Sequence, residues 1–479
     1  MAAAILATAI LAAYLTSFRG ALVFDDLPGI ANNPTIHDLR RIDLLLLAIG
    51  PQGGTLSGRP VPNLTLALNY AISGQSLWSY HAFNLLVHLL AGLTLFGLVR
   101  RTLLRPRLAA RFGDRSLPLA LAIAALWSLH PLQTESVTYL VQRVESLMGL
   151  CYLLTLYCFV RALESSRPRR WFVGAFFACL TGMGCKEVMV SAPLLVLLYD
   201  RIFVADSWRE VWQRRRRTHA ALFGTWLLLA TLIWASGGRG GTAGFGLETA
   251  WWRYALTQCR VILDYLKLSL WPHPLVFDHN VRLVSGLGEV WLPALALLGL
   301  LAASVYLLFR RPAAGFLCVW FFAILAPTSS VVPVADAMFE HRMYLPLAAV
   351  IALVVLGLHA RLGRVALPVC VVVAFTLGAV TASRNLVYAS PMTLWADVIR
   401  KVPDNARAHD SLGAYLFADG RISEAHTQFT TALQCDPTFA PAHFNLGRAL
   451  ESAGQFAAAA AAYEAALRYN PKLADAHVN

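Results

Sequence analysis

Two carboxylates stand side by side in Phe24-Asp25-Asp26-Leu27, just after the first apolar run of the chain. Adjacent carboxylates repel, which raises one pKa, so either aspartate could act as a general base or as a ligand for a divalent cation such as Mg2+ or Mn2+. Further titratable side chains come in short clusters between apolar runs. They are Arg59 in Ser57-Gly58-Arg59-Pro60, then His81 and His88 on one helix face, then His130, Glu135, Arg143 and Glu145, then Lys186-Glu187, and last Glu340-His341-Arg342. Each cluster alone has an ordinary role open to it, as a solvated turn, a snorkelling ion pair or a packing histidine. Together they suit one polar site, in which a carboxylate activates a nucleophile and Arg or Lys neutralises a phosphate leaving group. The expected site thus has Asp25 and Asp26 as catalytic carboxylates. Its expected substrate-binding residues are Arg59, His81, His130, Glu135, Arg143, Lys186, Glu187, Glu340, His341 and Arg342. A metal is not required by this set; if one is used, Asp25 and Asp26 would hold it.

The elements that position these residues must be membrane helices. Of 479 residues, 57% are hydrophobic and 14% charged, against about 25% charged in a soluble domain. Crossing the hydrocarbon takes about 20 apolar residues. Eleven candidate runs lie near 2–17, 80–99, 117–130, 146–163, 171–184, 188–204, 219–236, 290–309, 313–331, 344–360 and 365–382. The first reads as a retained span, since no basic segment precedes it and no small-residue cleavage site follows. The net charge of +13 is concentrated in arginine loops at 100–115, 161–170, 214–217, 310–311 and 361–364, while the tail beyond residue 390 has 9 acidic and 7 basic residues. This is the positive-inside pattern, which makes those loops cytoplasmic and argues against nucleic acid as a partner. The eight cysteines show no CxxC spacing and imply neither disulfides nor zinc. Residues 251–270 carry Arg253, Arg260, Asp264 and Lys267 within one helix length. Charges are costly in lipid, so this segment is expected to lie along the interface or to re-enter, leaving eleven crossings and an outward tail.

From residue 386 the sequence repeats. Leu412-Gly413, Gly420, Ala425, Phe429, Ala432 and Pro437 recur 34 residues later as Leu446-Gly447, Gly454, Ala459, Tyr463, Ala466 and Pro471. Small residues let paired helices approach, an aromatic fills the gap between neighbours and a proline stops the second helix, which is the tetratricopeptide pattern. A half-unit at 388–405 precedes repeats 406–439 and 440–473, and a third repeat is expected to begin at 474–479. The fold class is therefore all-α, a polytopic bundle over 1–385 followed by an α-solenoid over 386–479 whose groove suits an extended peptide.

The order of FDD, GRPVPNLTLALNYAISG, HAFNLLVHLL, LHPLQTESVTYLVQRVE, a Lys-Glu pair, EHRMYLP and terminal repeats resembles the TMTC family of transmembrane O-mannosyltransferases and their bacterial relatives. The resemblance implies a GT-C fold, inverting sugar transfer with little or no metal dependence, and a donor carried on polyprenyl or dolichyl phosphate. It also places an acidic residue of the first outer loop as the base on the acceptor hydroxyl, the place held by Asp25 and Asp26. The expected function is an integral-membrane hexosyltransferase, mannose being one candidate sugar, that modifies a protein hydroxyl outside the cytoplasm. The alanine- and arginine-rich composition points to a bacterial inner membrane with a periplasmic active site. Two rivals remain at this stage: the same fold acting on a lipid or polysaccharide, and a membrane-anchored scaffold without catalysis. A lipid acceptor needs no peptide groove, and an anchor needs only one span.

Overall fold

The computed structural model describes residues 1–40, 54–237, 243–247 and 249–471. The third repeat expected at 474–479 lies outside them. The chain forms two compact units, one of Met1–Leu275 with Arg282–Leu386, the other of Val276–Val281 with Val387–Asn479. No strand forms among the described residues.

In the membrane unit the described α-helices longer than five residues are α1 (Ala2–Tyr14), α2 (Pro60–Ser73), α3 (Trp78–Leu103), α4 (Pro106–Phe112), α5 (Ser116–Ser128) and α6 (Arg143–Ala162). There follow α7 (Pro168–Met183), α8 (Ala192–Phe203), α9 (Trp208–Gly224), α10 (Trp226–Ala235), α11 (Trp251–Leu270), α12 (Trp291–Arg310), α13 (Pro312–Leu325), α14 (Pro346–Leu362) and α15 (Ala366–Asn385). Proline opens many of them (α2, α4, α7, α8, α13 and α14 among them), where its missing N–H costs nothing and its fixed φ already suits a helix. The α6 stretch is the hub: the Leu140–Ala162 window is 89% buried, whereas Trp291–Arg310 is 6% buried and offers its apolar side chains to lipid.

Every one of the eleven apolar runs is helical, but not every one is long enough to span alone. Among the described residues six helical stretches are both long and apolar enough, seven if the bent pair Pro106–Ser128 and Pro131–Thr138 is one span. One of the six, Pro346–Ala389, has 44 residues, which is about 66 Å of helix and twice the hydrocarbon thickness. It folds back at Gly363, whose φ of 56° sits in the left-handed region, so α14 and α15 both pack on α5. By contrast α7, α8 and α13 have only 16, 12 and 14 residues. Polar segments explain part of the shortening: Lys186-Glu187 separate α7 from α8, and irregular backbone at such depth is tolerated where it is buried in protein.

Helix α11 takes one of the two forms expected for its segment. Residues 251–270 form an unbroken 20-residue helix with no re-entrant bend. It is strongly two-faced, and its Tyr254, Gln258 and Tyr265 donate to the carbonyls of Thr328, Ala337 and Phe339. The helix therefore lies along the 328–342 loop, and it is not among the helices apolar enough to cross.

Direction along the hub separates two ends of this unit. Helix α6 begins at Arg143 and Glu145 and reaches Arg161 one residue before its last, about 30 Å away for a 20-residue helix. Likewise α8 follows Lys186-Glu187 and ends near Arg201, and α14 follows Glu340-His341-Arg342 and ends near Arg361. The candidate site residues gather at one end and the arginine loops at the other.

The second unit contains α16 (Pro391–Lys401), α17 (Ala406–Ala418), α18 (Ile422–Cys435), α19 (Ala440–Ser452) and α20 (Phe456–Tyr469). The repeat glycines have a packing reason. A Cβ on Gly413 would lie 2.6 Å from the Phe429 ring, and one on Gly447 would lie 2.6 Å from the Tyr463 ring, so each aromatic rests on the backbone of its partner helix. Segment 276–281, distant in sequence, completes the first layer. Phe277 meets the rings of Tyr388 and Trp395, Asp278 pairs with Arg407 at 3.3 Å, and Asn405 donates to the Asp278 carbonyl.

Candidate active site

The turn after α1 sets the two aspartates. Phe24 has φ 43°, a conformation few non-glycine residues adopt, and such strain clusters at functional sites. From this turn the neighbours take different roles. Asp26 is fully buried, its Oδ1 accepting the Val141 N–H at 2.7 Å and its Oδ2 the Val23 N–H at 3.1 Å. Burial pushes its carboxyl up to about 8; the two backbone donors and Arg143 oppose this, and the charge of Asp25 adds to it. Asp25 is only half-buried. Its Oδ2 accepts the Thr55 hydroxyl at 2.5 Å, and its backbone N–H donates to the Tyr139 hydroxyl at 2.9 Å.

Thr55 also reaches a cation. Its carbonyl accepts Arg59 Nη1 at 2.6 Å, so one residue ties the Asp25 carboxylate to the Arg59 guanidinium. The turn that allows this needs Gly58, with φ 70° and with Ser236 Oγ 2.8 Å from where a Cβ would stand. Arg59 Nη2 lies 3.4 Å from Glu187 Oε2, and their side chains keep 12% and 20% exposure, so this edge of the cluster meets solvent. The Arg59 Nε is buried without a hydrogen-bond partner.

Behind that edge the groups are closed off. Lys186 Nζ pairs with Glu145 Oε2 in the interior. Burial holds the Lys186 ammonium below its ordinary value, and the Glu145 charge offsets part of that. His341 Nδ1 lies 2.9 Å from Glu135 Oε1, while Glu135 Oε2 accepts the His341 N–H. Burial, then the nearby Lys186 charge, hold this imidazole well below its usual range and therefore neutral. Arg59, Glu145, Lys186, His341 and Arg342 are thus close enough to act on one another electrostatically.

Several residues expected to bind substrate are engaged by the fold itself. The Arg143 guanidinium is completely buried, donating to Asn69 Oδ1 and the Tyr80 carbonyl and lying 4.9 Å from the Phe83 ring centre. Arg342 serves the carbonyls of Thr328, Asp336 and Ala337. His81 donates to the Gly20 carbonyl, His130 Nδ1 accepts the Leu132 N–H, and Glu340 is buried in the turn before α14. A polar side chain inside a bundle must find a partner, and for Arg143, Arg342, His81 and His130 the backbone supplies one. At the aspartate pair each Asp26 oxygen accepts an N–H and Asp25 Oδ2 accepts the Thr55 hydroxyl, so both carboxyl groups are hydrogen-bonded within the fold. Among the described residues no three His, Cys, Asp or Glu side chains come together as a metal site.

Sequence reasoning missed Thr55, Tyr139, Tyr254 and Tyr265. Tyr254, Gln258, Val261 and Tyr265 do follow one another at helical spacing, a stripe that marks the buried face of α11. Nothing local distinguishes Thr55.

Fold and site together define a polytopic helical membrane protein with a buried acidic and basic cluster at one end, joined to a tetratricopeptide array. Residues 57–234 match the family described as dolichyl-phosphate-mannose-protein mannosyltransferase, and residues 416–479 match a tetratricopeptide repeat family. Among similar curated proteins, protein O-mannosyl-transferase Tmtc1 of Drosophila melanogaster is 28% identical over 58% of this chain and 34% of its own length. The human protein O-mannosyl-transferase TMTC1 is 25% identical over 91% of this chain and 55% of its own. Protein O-mannosyl-transferase F38B6.6 of Caenorhabditis elegans is 24% identical over 89% and 61%. The chain is TMTC-like. Its matches to the three Drosophila relatives span 34%, 24% and 30% of their lengths.

Proposed function

We propose that this protein is a membrane glycosyltransferase that moves a hexose, mannose by the names of its relatives, from a polyprenyl or dolichyl phosphate to a hydroxyl of a protein acceptor. The observation that carries this reading is the Thr55 bridge, which ties a partly exposed carboxylate to a guanidinium that is mostly buried but still reaches the solvent edge. Asp25 takes the proton of the acceptor hydroxyl as its oxygen bonds to the anomeric carbon. The bond from that carbon to the phosphate oxygen breaks with its electron pair, and Arg59 meets the charge left on the lipid phosphate. Asp26 positions the turn. The site lies at the end of the bundle opposite the arginine loops, which supports an extracytoplasmic site under the positive-inside rule. The repeats hold the acceptor as an extended peptide in their groove. No metal is assigned a step.

Detergent-solubilised protein should transfer labelled mannose from a polyprenyl-phosphate donor to hydroxyl-bearing peptides. Asp25→Asn should lower that rate about 10²- to 10⁴-fold, the usual worth of a general base. Failure of the wild-type protein to use any polyprenyl-phosphate hexose would reject the reading.

A further inference from the structure

At the opposite end of the membrane unit lies a second built concavity, a cavity of about 1060 Å³. Arg107 and Arg111 of α4, Arg201 of α8, Arg311 before α13 and Arg361 of α14 all line it, and among the described residues no acidic one does. Arginines that merely follow the positive-inside rule can spread into water, each on its own loop. Here they converge from four separated stretches of chain.

Their engagement is uneven. Arg107 is held by the Ala205 carbonyl at 3.0 Å and Asp206 at 2.6 Å. Arg111, Arg311 and Arg361 are exposed and make no ion pair with a carboxylate among the described residues. Arg201 is partly buried with its Nε lacking a hydrogen-bond partner. The remaining wall is apolar, with Phe203, Leu317, Leu353 and Leu356 among its residues. Such a cavity joins a cationic rim to a greasy wall at the membrane boundary. Its volume lies just above the about 300–1,000 Å³ range of small-molecule sites, more than a lone phosphate needs.

We propose that this cavity binds an anionic glycerophospholipid, with the headgroup phosphate among the arginines and the acyl chains against the leucine wall. A neutral lipid leaves the guanidinium charges uncompensated, and a free phosphate leaves the apolar wall uncovered. The sugar donor is not the occupant, because its phosphate is needed at the Asp25 end, about 30 Å away along α6.

The test uses the full chain in neutral detergent, incubated with phosphatidylglycerol, phosphatidylcholine, glycerol 3-phosphate or polyprenyl phosphate, with retained adducts read by native mass spectrometry. Phosphatidylglycerol should be retained over the other three. Arg311→Gln with Arg361→Gln should weaken it about 10- to 30-fold, at the usual contribution of a juxtamembrane arginine to anionic-lipid binding. Arg169→Gln with Arg170→Gln, exposed at the start of α7, should not. Should the first pair fail to fold, Arg361→Gln alone is read the same way. Equal retention of phosphatidylcholine, or of phosphatidylglycerol by the arginine variant, overturns the site. Equal retention of glycerol 3-phosphate makes it a phosphate site, and displacement by polyprenyl phosphate at equal concentration makes it a donor-lipid site; either overturns the assignment.

Discussion

Replacing Asp26 by alanine should unfold this protein more readily, and that outcome separates the two neighbouring aspartates. The carboxylate satisfies two backbone N–H groups, those of Val23 and Val141, in a fully buried setting. Truncation strands both donors, and a buried unsatisfied donor costs about 1–3 kcal/mol, so the loss should be about 2–6 kcal/mol. A thermal unfolding series in detergent, followed by tryptophan fluorescence, reads this as a lowered midpoint. Its pH dependence adds a second signature. Because the folded pKa is raised to about 8 from 3.8, the neutral acid is the form that burial favours. The stability it contributes is fully present below pH 4 and fades as pH rises toward 8. The gap between wild type and Asp26→Ala should therefore be wider at pH 5 than at pH 8. Asp25→Asn should leave the midpoint nearly in place while losing transfer. An Asp26→Ala protein with an unchanged midpoint and no transfer would refute this division and make Asp26 the base.

The other expectations are independent of one another. Thr55→Val removes the hydroxyl that holds Asp25 but keeps the carbonyl that holds Arg59. It should reduce kcat by about tenfold, one hydrogen bond's worth, with the donor KM little changed in the same peptide assay. Lys186→Met strands Glu145 and should cost about 3–5 kcal/mol of stability, most of it recovered when Glu145→Leu is added; equal midpoints for the single and double variants would contradict the pairing. Gly447→Ala drives a Cβ toward the Tyr463 ring and should destabilise the array by about 1–3 kcal/mol, seen as earlier cleavage between 405 and 471 in limited proteolysis.

Sequence alone determined the elements. Apolar runs become membrane helices because unpaired backbone polar groups cannot face lipid, and arginine clusters sort to one end because charge is costly to translocate. The 34-residue repeat was legible because Gly413 with Phe429, and Gly447 with Tyr463, are local pairs whose packing recurs at a fixed spacing. The tertiary structure decided which polar side chains work on ligands and which on the fold. Asp25 and Asp26 are adjacent and identical in type, and only the position of the Val141 N–H, 115 residues from Asp26, engages one of them in the interior. Arg143 and Arg59 likewise look alike in the sequence. One fills a closed pocket of carbonyl and aromatic groups, while the other stays at a solvent edge beside Thr55. Burial and hydrogen-bond partners come from segments far apart in the chain, so no pattern of neighbours encodes them.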